Sequence, residues 1–221
     1  MLAWLRTRLR QGIRTIPFPE GSADFPERFR GRPQGSLDLG GCLFSPEEGA
    51  YSRNHRMATS TRQALVTPTG EVELAQALDE RTRRLFRRSL RLRSVVAGSC
   101  NGCEAELVAL GNVVFDLSRF GVQFVASPRH ADGIVVTGAV NRNMRRALEL
   151  TYEAVPPPKI VIAVGACAIS AGPFAGSPEV AGGIGDILPV DLWVPGCPPH
   201  PLTTLDGLLR LLGVIEQEKR V

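Results

Sequence analysis

The chain lacks long hydrophobic runs, and no stretch approaches the roughly 18 apolar residues that a membrane-spanning helix needs. We therefore expect no transmembrane helix. The arginine-rich first ten residues contain no apolar core stretch, so we also expect no secretory signal. Aromatic residues make up only 6% of the chain, and the arginine-rich residues 81–93 belong to no DNA- or RNA-binding motif, which argues against nucleic-acid binding.

The composition is that of a globular protein. Hydrophobic residues at 43% and charged residues at 22% exclude a wholly disordered chain, and 221 residues suffice for a hydrophobic core. A protein that is not exported seldom keeps stable disulfides. The five cysteines therefore indicate metal or redox chemistry.

Charge and cysteine are unevenly distributed along the chain. Residues 1–94 hold 17 basic and 10 acidic residues, a balance of +7, whereas residues 95–221 hold 9 and 12, a balance of −3. Four of the five cysteines lie in the second part. We predict two regions, a basic N-terminal arm over residues 1–88 and a cysteine-bearing domain over residues 89–221.

The arm carries few signals of regular structure. A short amphipathic helix is predicted at its start, with arginines around an apolar stripe of Leu2, Trp4, Leu5, Leu9 and Ile13. For this helix we favour packing on a partner protein or a simply solvated face, and an anionic membrane surface is the alternative. The Pro- and Gly-rich residues 17–35 predict extended chain, and residues 71–88 have helical spacing. Cys42 has no neighbouring cysteine and is interpreted as a bystander thiol.

The second region alternates strands and helices. Strands are predicted over residues 90–97, 121–126, 133–137, 159–164 and 191–194, and helices over residues 104–110, 143–154 and 201–212. Strands joined by helical crossovers form a parallel sheet with helices on both faces. The predicted fold class is therefore α/β, a doubly wound parallel sheet with an extended basic N-terminal arm.

Four cysteines follow the carboxyl ends of predicted strands, where ligands bind in open parallel sheets. They are Cys100, Cys103, Cys167 and Cys197. Their loops are rich in glycine, which lets the backbone approach a ligand closely. Because strand ends share one edge of the sheet, the four thiolates are expected to meet, and four thiolates are what a [4Fe–4S] cluster requires.

Three alternative roles for these cysteines remain open. A zinc site also takes four cysteines, although small zinc sites typically pair two short C-x-x-C units and only one is present here. A redox pair formed by Cys100 and Cys103 would leave Cys167 and Cys197 without a role. Inert buried cysteines would not all fall at strand ends.

Spaced motifs give a family resemblance over about residues 90–215. They are GSCNGCE at 98–104, SPRHAD at 127–132, VTGAV at 136–140, GAC at 165–167 and PGCPP at 195–199. In this order they resemble the 20 kDa (B-type) subunits of respiratory complex I. They are more similar still to the small subunits of membrane-bound, energy-converting group 4 [NiFe] hydrogenases such as formate hydrogenlyase.

The resemblance implies a flavodoxin-like fold that holds one [4Fe–4S] cluster, with Cys100, Cys103, Cys167 and Cys197 as ligands. It also implies an electron-transfer subunit that is not catalytic by itself. The implied partners are a large catalytic subunit, a ferredoxin-like iron–sulfur subunit and, indirectly, membrane subunits. The implied location is the cytoplasmic face of the inner membrane, with peripheral attachment through those partners.

Two departures from the family patterns refine this expectation. Complex I subunits carry adjacent cysteines at the first ligand position, and the spacing of Cys100 and Cys103 is that of hydrogenase small subunits. The hydrogenase branch is therefore favoured over the quinone-reducing complex I role. Residues 25–33 resemble the entry segment of the ferredoxin-like subunit, but only Cys42 follows, so we predict a cluster-less remnant that serves as a docking arm.

Two glutamates follow the first pair of cysteines. The family resemblance implies a proton-relaying glutamate near this pair, and we favour Glu104 over Glu106. Acidic residues also stabilise the positive N-terminal end of a helix, which would account for both residues on structural grounds alone.

Overall fold

The computed structural model describes residues 2–21, 23–41, 51–86 and 89–215. Cys42 lies outside these residues. The strands are β1 (Leu37–Asp38), β2 (Val66–Thr67), β3 (Leu90–Val96), β4 (Val122–Phe124), β5 (Gly133–Thr137), β6 (Ile160–Val164) and β7 (Leu192–Val194). The α-helices are α1 (Leu2–Gln11), α2 (Glu80–Phe86), α3 (Gly102–Ala109), α4 (Arg142–Ala154), α5 (Ala166–Ser170) and α6 (Pro201–Leu211).

A parallel sheet forms the centre of the described structure, with the strand order β4-β3-β5-β6-β7. Counted along its own strands the order is 2-1-3-4-5, which is the flavodoxin-like arrangement. The side chains of successive residues along a strand point to opposite faces of the sheet. Thus Val135 and Ile162 pack into the cluster that contains α3 and α6, whereas Ile134 and Val161 pack into the cluster that contains Leu148 of α4.

This arrangement confirms the predicted α/β fold class with helices on both faces of the sheet. The predicted strands agree with β3 to β7 within about two residues at each end. Strands β5 and β6 are buried at every position, which explains their continuous apolar sequences. Helix α4 begins at Arg142 because the Asn141 side chain caps it by accepting a hydrogen bond of 2.8 Å from Met144 N.

The arm crosses both faces of this domain as mostly extended chain. Phe18 and Phe25 pack with α3 and α6 in one hydrophobic cluster, and Leu39 and Leu65 pack in the other. Thr59 pairs with the edge strand β7 through hydrogen bonds in both directions with Trp193, of 3.0 and 2.9 Å. The predicted division into an arm and a domain at residues 88 and 89 stays a prediction, but the arm's side chains belong to the same cores.

The helix predicted over residues 71–88 is wrong for its first half. Among the described residues of this range only α2 is helical, and residues 71–79 form no helix. Val72 and Leu74 are buried while Glu71 and Glu73 are exposed, which is the alternation of an extended segment. Backbone groups of this segment form hydrogen bonds with other segments: Ala75 N donates to Ala58 O at 2.8 Å, and Leu78 N donates to Leu211 O at 3.0 Å.

Helix α1 stands apart from the rest of the arm. It ends at Gln11, before Gly12 with its positive φ of 65°, and no residue of this described helix is buried. Ile13 of the predicted stripe therefore lies beyond the helix. Among the described residues, no helix is long and apolar enough to cross a membrane.

Candidate metal centre

The loop after β3 carries the first two cysteines. Gly98 has a φ of 140°, and a Cβ there would lie 2.5 Å from the Ala139 carbonyl oxygen, so only glycine fits. Asn101 takes a left-handed φ of 72° and turns the chain into α3. Cys100 consequently lies exposed before the helix, while Cys103 lies in its first turn and is buried.

The loops after β6 and β7 bring the other two cysteines to the same edge. Gly165 N donates to Val194 O at 2.8 Å and Ala166 N donates to Gly196 O at 2.8 Å, which ties the two loops together. Cys167 follows in the first turn of α5 and Cys197 follows Gly196. Both cysteines are half-buried.

Close contacts join these loops to the first pair. A Cβ on Gly165, which has a φ of 89°, would lie 2.5 Å from Cys103 Sγ. A Cβ on Gly102 would lie 3.5 Å from Cys100 Sγ and 3.7 Å from Pro198 Cβ. The predicted meeting of the cysteine-bearing loops at the carboxyl edge of the sheet is therefore present in the structure.

The thiol of Cys103 is electrostatically coupled to the other three cysteines. Burial raises its pKa to about 12, and Glu104, Cys167, Cys197 and Cys100 contribute to the rise in that order. All four residues are thiols, without disulfides. A thiol with such a pKa ionises when a metal supplies the compensating charge.

The donor set fits an iron–sulfur cluster. It consists of four sulfur atoms from loops whose glycines allow close contact at the edge of the sheet, and thiolates are the usual ligands of such clusters. Within the described ranges, no group of three or more His, Cys, Asp or Glu side chains is arranged to hold a metal ion.

The two glutamates of α3 have different surroundings. The carboxylate of Glu104 accepts hydrogen bonds from the hydroxyls of Ser99 and Thr137, so both of its oxygens have a partner. Glu106 is half-buried, and burial raises its pKa. The positions of Glu104 and Glu106 relative to the cysteines in the sequence did not reveal this difference in their surroundings.

A cavity of about 310 Å³ opens beside Cys197. Residues 195–199 line it, as does Glu106 of α3, while the arm contributes Arg28, Phe29, Arg30 and Met57. His200 completes one side and caps α6, since its Nδ1 accepts from Leu202 N at 3.1 Å.

The sequence interpretation did not assign Arg28 or Arg30 to this edge. The signal available was the arginine-rich segment 25–33, but a segment more than 160 residues before Cys197 says nothing of its position until the chain has folded.

Comparison with known proteins identifies the family. A sequence model described as "NADH ubiquinone oxidoreductase, 20 Kd subunit" matches residues 100–211, which include all four cysteines of the candidate centre. The chain belongs to this 20 kDa subunit family. The resemblance found in the sequence is thereby confirmed, together with its oxidoreductase classification.

Relatives come from both branches of the family. Formate hydrogenlyase subunit 7 of Escherichia coli is 46% identical over 133 residues, 60% of this chain and 52% of that protein. A probable membrane-bound hydrogenase subunit of Pyrococcus furiosus is 47% identical over 118 residues, 53% and 71% of the two chains. An NADH-quinone oxidoreductase subunit of Heliobacterium modesticaldum is 44% identical over 120 residues, 54% and 69%. The chain thus spans about half the length of the first relative.

A solved structure agrees with this placement. A chain of the membrane-bound sulfane sulfur reductase, an archaeal respiratory membrane complex, superposes with a TM-score of 0.53 and 31% identity. The match covers 64% of this chain and 78% of that one. The two chains therefore share much of their fold.

Proposed function

We propose that the chain is an electron-transfer subunit that carries one [4Fe–4S] cluster on Cys100, Cys103, Cys167 and Cys197. The observation that carries the proposal is the contact of three cysteine-bearing loops at one edge of the sheet, with Cys103 coupled to the other three thiols. Such a cluster supplies one-electron transfer.

The four cysteines differ in their exposure to water, and this difference suits an electron-transfer role. Cys103 lies against Gly165 and is shielded from water, whereas Cys100 is exposed. Water exclusion and hydrogen bonds to sulfur are the means by which proteins set cluster potentials. The exposed side of the centre, at Cys100, then faces a redox partner.

We infer the partners of this chain from the names of its relatives. Those names describe subunits of formate hydrogenlyase, a membrane-bound hydrogenase and NADH-quinone oxidoreductase. We place this chain between a ferredoxin-like subunit and a large catalytic subunit, at the cytoplasmic face of the inner membrane through partner subunits. Residues 1–88 serve as the docking arm, without clusters of their own.

The spacing of Cys100 and Cys103 favours a hydrogenase-like large subunit. The second candidate is quinone reduction, which the relative from an NADH-quinone oxidoreductase supports. Co-purification with the large subunit tests the choice. Nickel in the complex and hydrogen-dependent dye reduction support the first, and hydrogen-insensitive reduction of a short-chain quinone supports the second.

Anaerobic purification with iron analysis tests the cluster. About four irons per chain and an S = ½ EPR signal after reduction are expected for one cubane. Cys167→Ser should abolish the signal, while Cys42→Ser, a matched change of the same residue type, should leave iron content unchanged. One zinc per colourless chain supports a zinc-stabilised interaction module instead, and eight or more irons contradict a cluster-less arm.

Glu104 is the proposed proton relay. Its contacts with the Ser99 and Thr137 hydroxyls hold the carboxylate in one orientation beside the cysteine pair. In the assembled complex, Glu104→Gln should reduce turnover and leave the EPR signal intact. Glu106→Gln is the matched control, and a larger loss from that variant would transfer the role to Glu106.

A further inference from the structure

We infer that Arg28 and Arg30 of the N-terminal arm raise the reduction potential of the cluster held at the four cysteines. The inference rests on the proposed function and goes beyond it, because it assigns the setting of the potential to residues outside the matched family region, which begins at residue 100. Both arginines line the cavity of about 310 Å³ that also contains Cys197.

The arm segment is fixed on the loop that follows Cys197. Phe25 stacks on Phe29 with ring centroids 4.3 Å apart, and both rings make T-shaped contacts with the His200 ring at centroid distances of 5.1 and 5.5 Å. His200 lies three residues after Cys197 and is the N-cap residue of α6. Phe29, between the two arginines, therefore anchors them to the side of the candidate centre.

Backbone contacts hold the same segment from its other end. Gly31 N donates to Ser52 O at 3.0 Å and Arg32 N donates to Asn54 O at 2.8 Å. A Cβ on Gly31 would lie 2.3 Å from the Asn54 carbonyl oxygen, so the two extended segments of the arm are in close contact. Arg28 and Arg30 consequently extend from a fixed backbone and not from a loose tail.

The charges around the cavity favour the reduced cluster. Reduction adds one negative charge to a group already bound by four thiolates, and nearby positive charge stabilises that state. Besides the two arginines, the N-terminal end of α6 begins at this cavity and contributes the positive end of a helix dipole. Among the described residues that line the cavity, Glu106 is the acidic one, and its charge acts with the opposite sign.

Redox titration monitored by EPR tests the inference on the full chain. Arg28→Gln/Arg30→Gln should lower the equilibrium constant for reduction about tenfold, which corresponds to a midpoint about 59 mV lower for one electron. Arg28→Lys/Arg30→Lys should retain the wild-type midpoint, since charge and not shape is required. Glu106→Gln should move the midpoint in the opposite direction.

Two controls separate charge from structural damage. Arg91→Gln removes an exposed arginine near the start of β3, at the amino edge of the sheet, and should leave the midpoint unchanged. Because Arg28 and Arg30 are exposed, salt screens their field, so the shift should shrink at 1 M salt, where the Debye length is about 3 Å. A structural disturbance would instead persist in high salt and lower the iron content.

The outcomes distinguish the two proposals. A wild-type chain that binds no iron overturns the proposed function and this inference together. A loaded chain whose midpoint is unchanged in Arg28→Gln/Arg30→Gln, or a shift that the lysine variants fail to restore, overturns only the role of the arginines.

Discussion

Two parts of the N-terminal arm differ both in regular secondary structure and in burial, and the more regular part is the less buried one. Helix α1 is regular, yet Trp4 is 61% exposed and Leu9 is 81% exposed. Residues 51–79 form almost no regular structure, yet Leu74 is fully buried and Thr59 extends the sheet by pairing with Trp193. Regular hydrogen bonding and contribution to the core are therefore separate properties in this chain.

The physical reason lies in where each segment finds partners. The α1 backbone forms hydrogen bonds within the helix and exposes its terminal groups to water, so it needs no neighbouring segment as a partner. Residues 51–79 obtain theirs from the domain, as Leu78 does from Leu211, and their apolar side chains fill both cores. We expect the second segment to be part of the folding unit and the first to be dispensable for stability.

Deletion of residues 2–79 should have the largest effect. It would expose α6, all of whose residues are buried, and leave a gap where a Cβ on Gly207 would lie only 2.6 Å from Ala58 Cβ. We expect loss of the cooperative thermal transition, measured by circular dichroism. A truncated chain that still unfolds cooperatively would show that residues 80–221 fold without residues 2–79.

The buried ion pair of α6 should come next. Arg210 Nε lies 2.8 Å from an Asp206 oxygen, with side chains only 1% and 2% exposed. Asp206→Ala leaves a buried guanidinium without this carboxylate, and we expect a loss of about 3–5 kcal/mol in urea unfolding. Glu80→Ala breaks the exposed pair with Arg84 and should cost less than about 1 kcal/mol. Equal costs would contradict the difference in burial.

Leu74→Ala examines the arm's contribution to the core directly. A fully buried leucine loses contacts and leaves a cavity, so we expect about 2–5 kcal/mol of destabilisation. Leu208→Ala in α6 is the matched change within the domain and should cost a similar amount. If Leu74→Ala alone lowered the free energy of unfolding by less than about 0.5 kcal/mol, the arm would contribute little to the hydrophobic core.

Acid should weaken the contact between arm and domain through His55. Burial lowers its pKa to about 4, with Arg56 and Arg210 contributing in the same direction. The unfolded chain, with an ordinary histidine pKa near 6.5, binds the proton more readily, so this histidine destabilises the fold as pH falls from about 6.5 to about 4. The loss is at most about 3 kcal/mol.

Urea unfolding at several pH values measures this effect. Burial also lowers the pKa of His200 to about 4, so His55→Gln should reduce the pH dependence between about 4 and 6.5 without abolishing it. His130→Gln, which changes an exposed histidine, should keep the wild-type pH dependence. Parallel curves for wild type and His55→Gln would rule out this origin of acid sensitivity.

Removal of residues 2–13 should have the smallest effect. None of the residues in α1 is buried, so we expect a change within about 0.5 kcal/mol of wild type in urea unfolding. A larger loss would reveal that the helix stabilises the domain by contacts that its exposure does not indicate, and the comparison between the two parts of the arm would fail.

Some elements were predictable because their local signals are strong. Residues 133–137 and 159–164 are continuous apolar runs, as expected of strands that are buried on both faces. Residues 71–79 were wrongly predicted as helical because Val72, Leu74 and Leu78 satisfy both a helical and an alternating spacing. Only their contacts with residues 58–60 and Leu211 select the extended form.

The sequence by itself determined the parallel sheet and the shared edge of Cys100, Cys103, Cys167 and Cys197, because each cysteine follows a strand whose direction is fixed by its crossover. The tertiary structure decided which side of that edge the arm covers, and therefore that Arg28 and Arg30 lie beside Cys197. It also decided that Glu104, and not Glu106, contacts Thr137. These outcomes depend on packing between segments far apart in the chain, which no local pattern specifies.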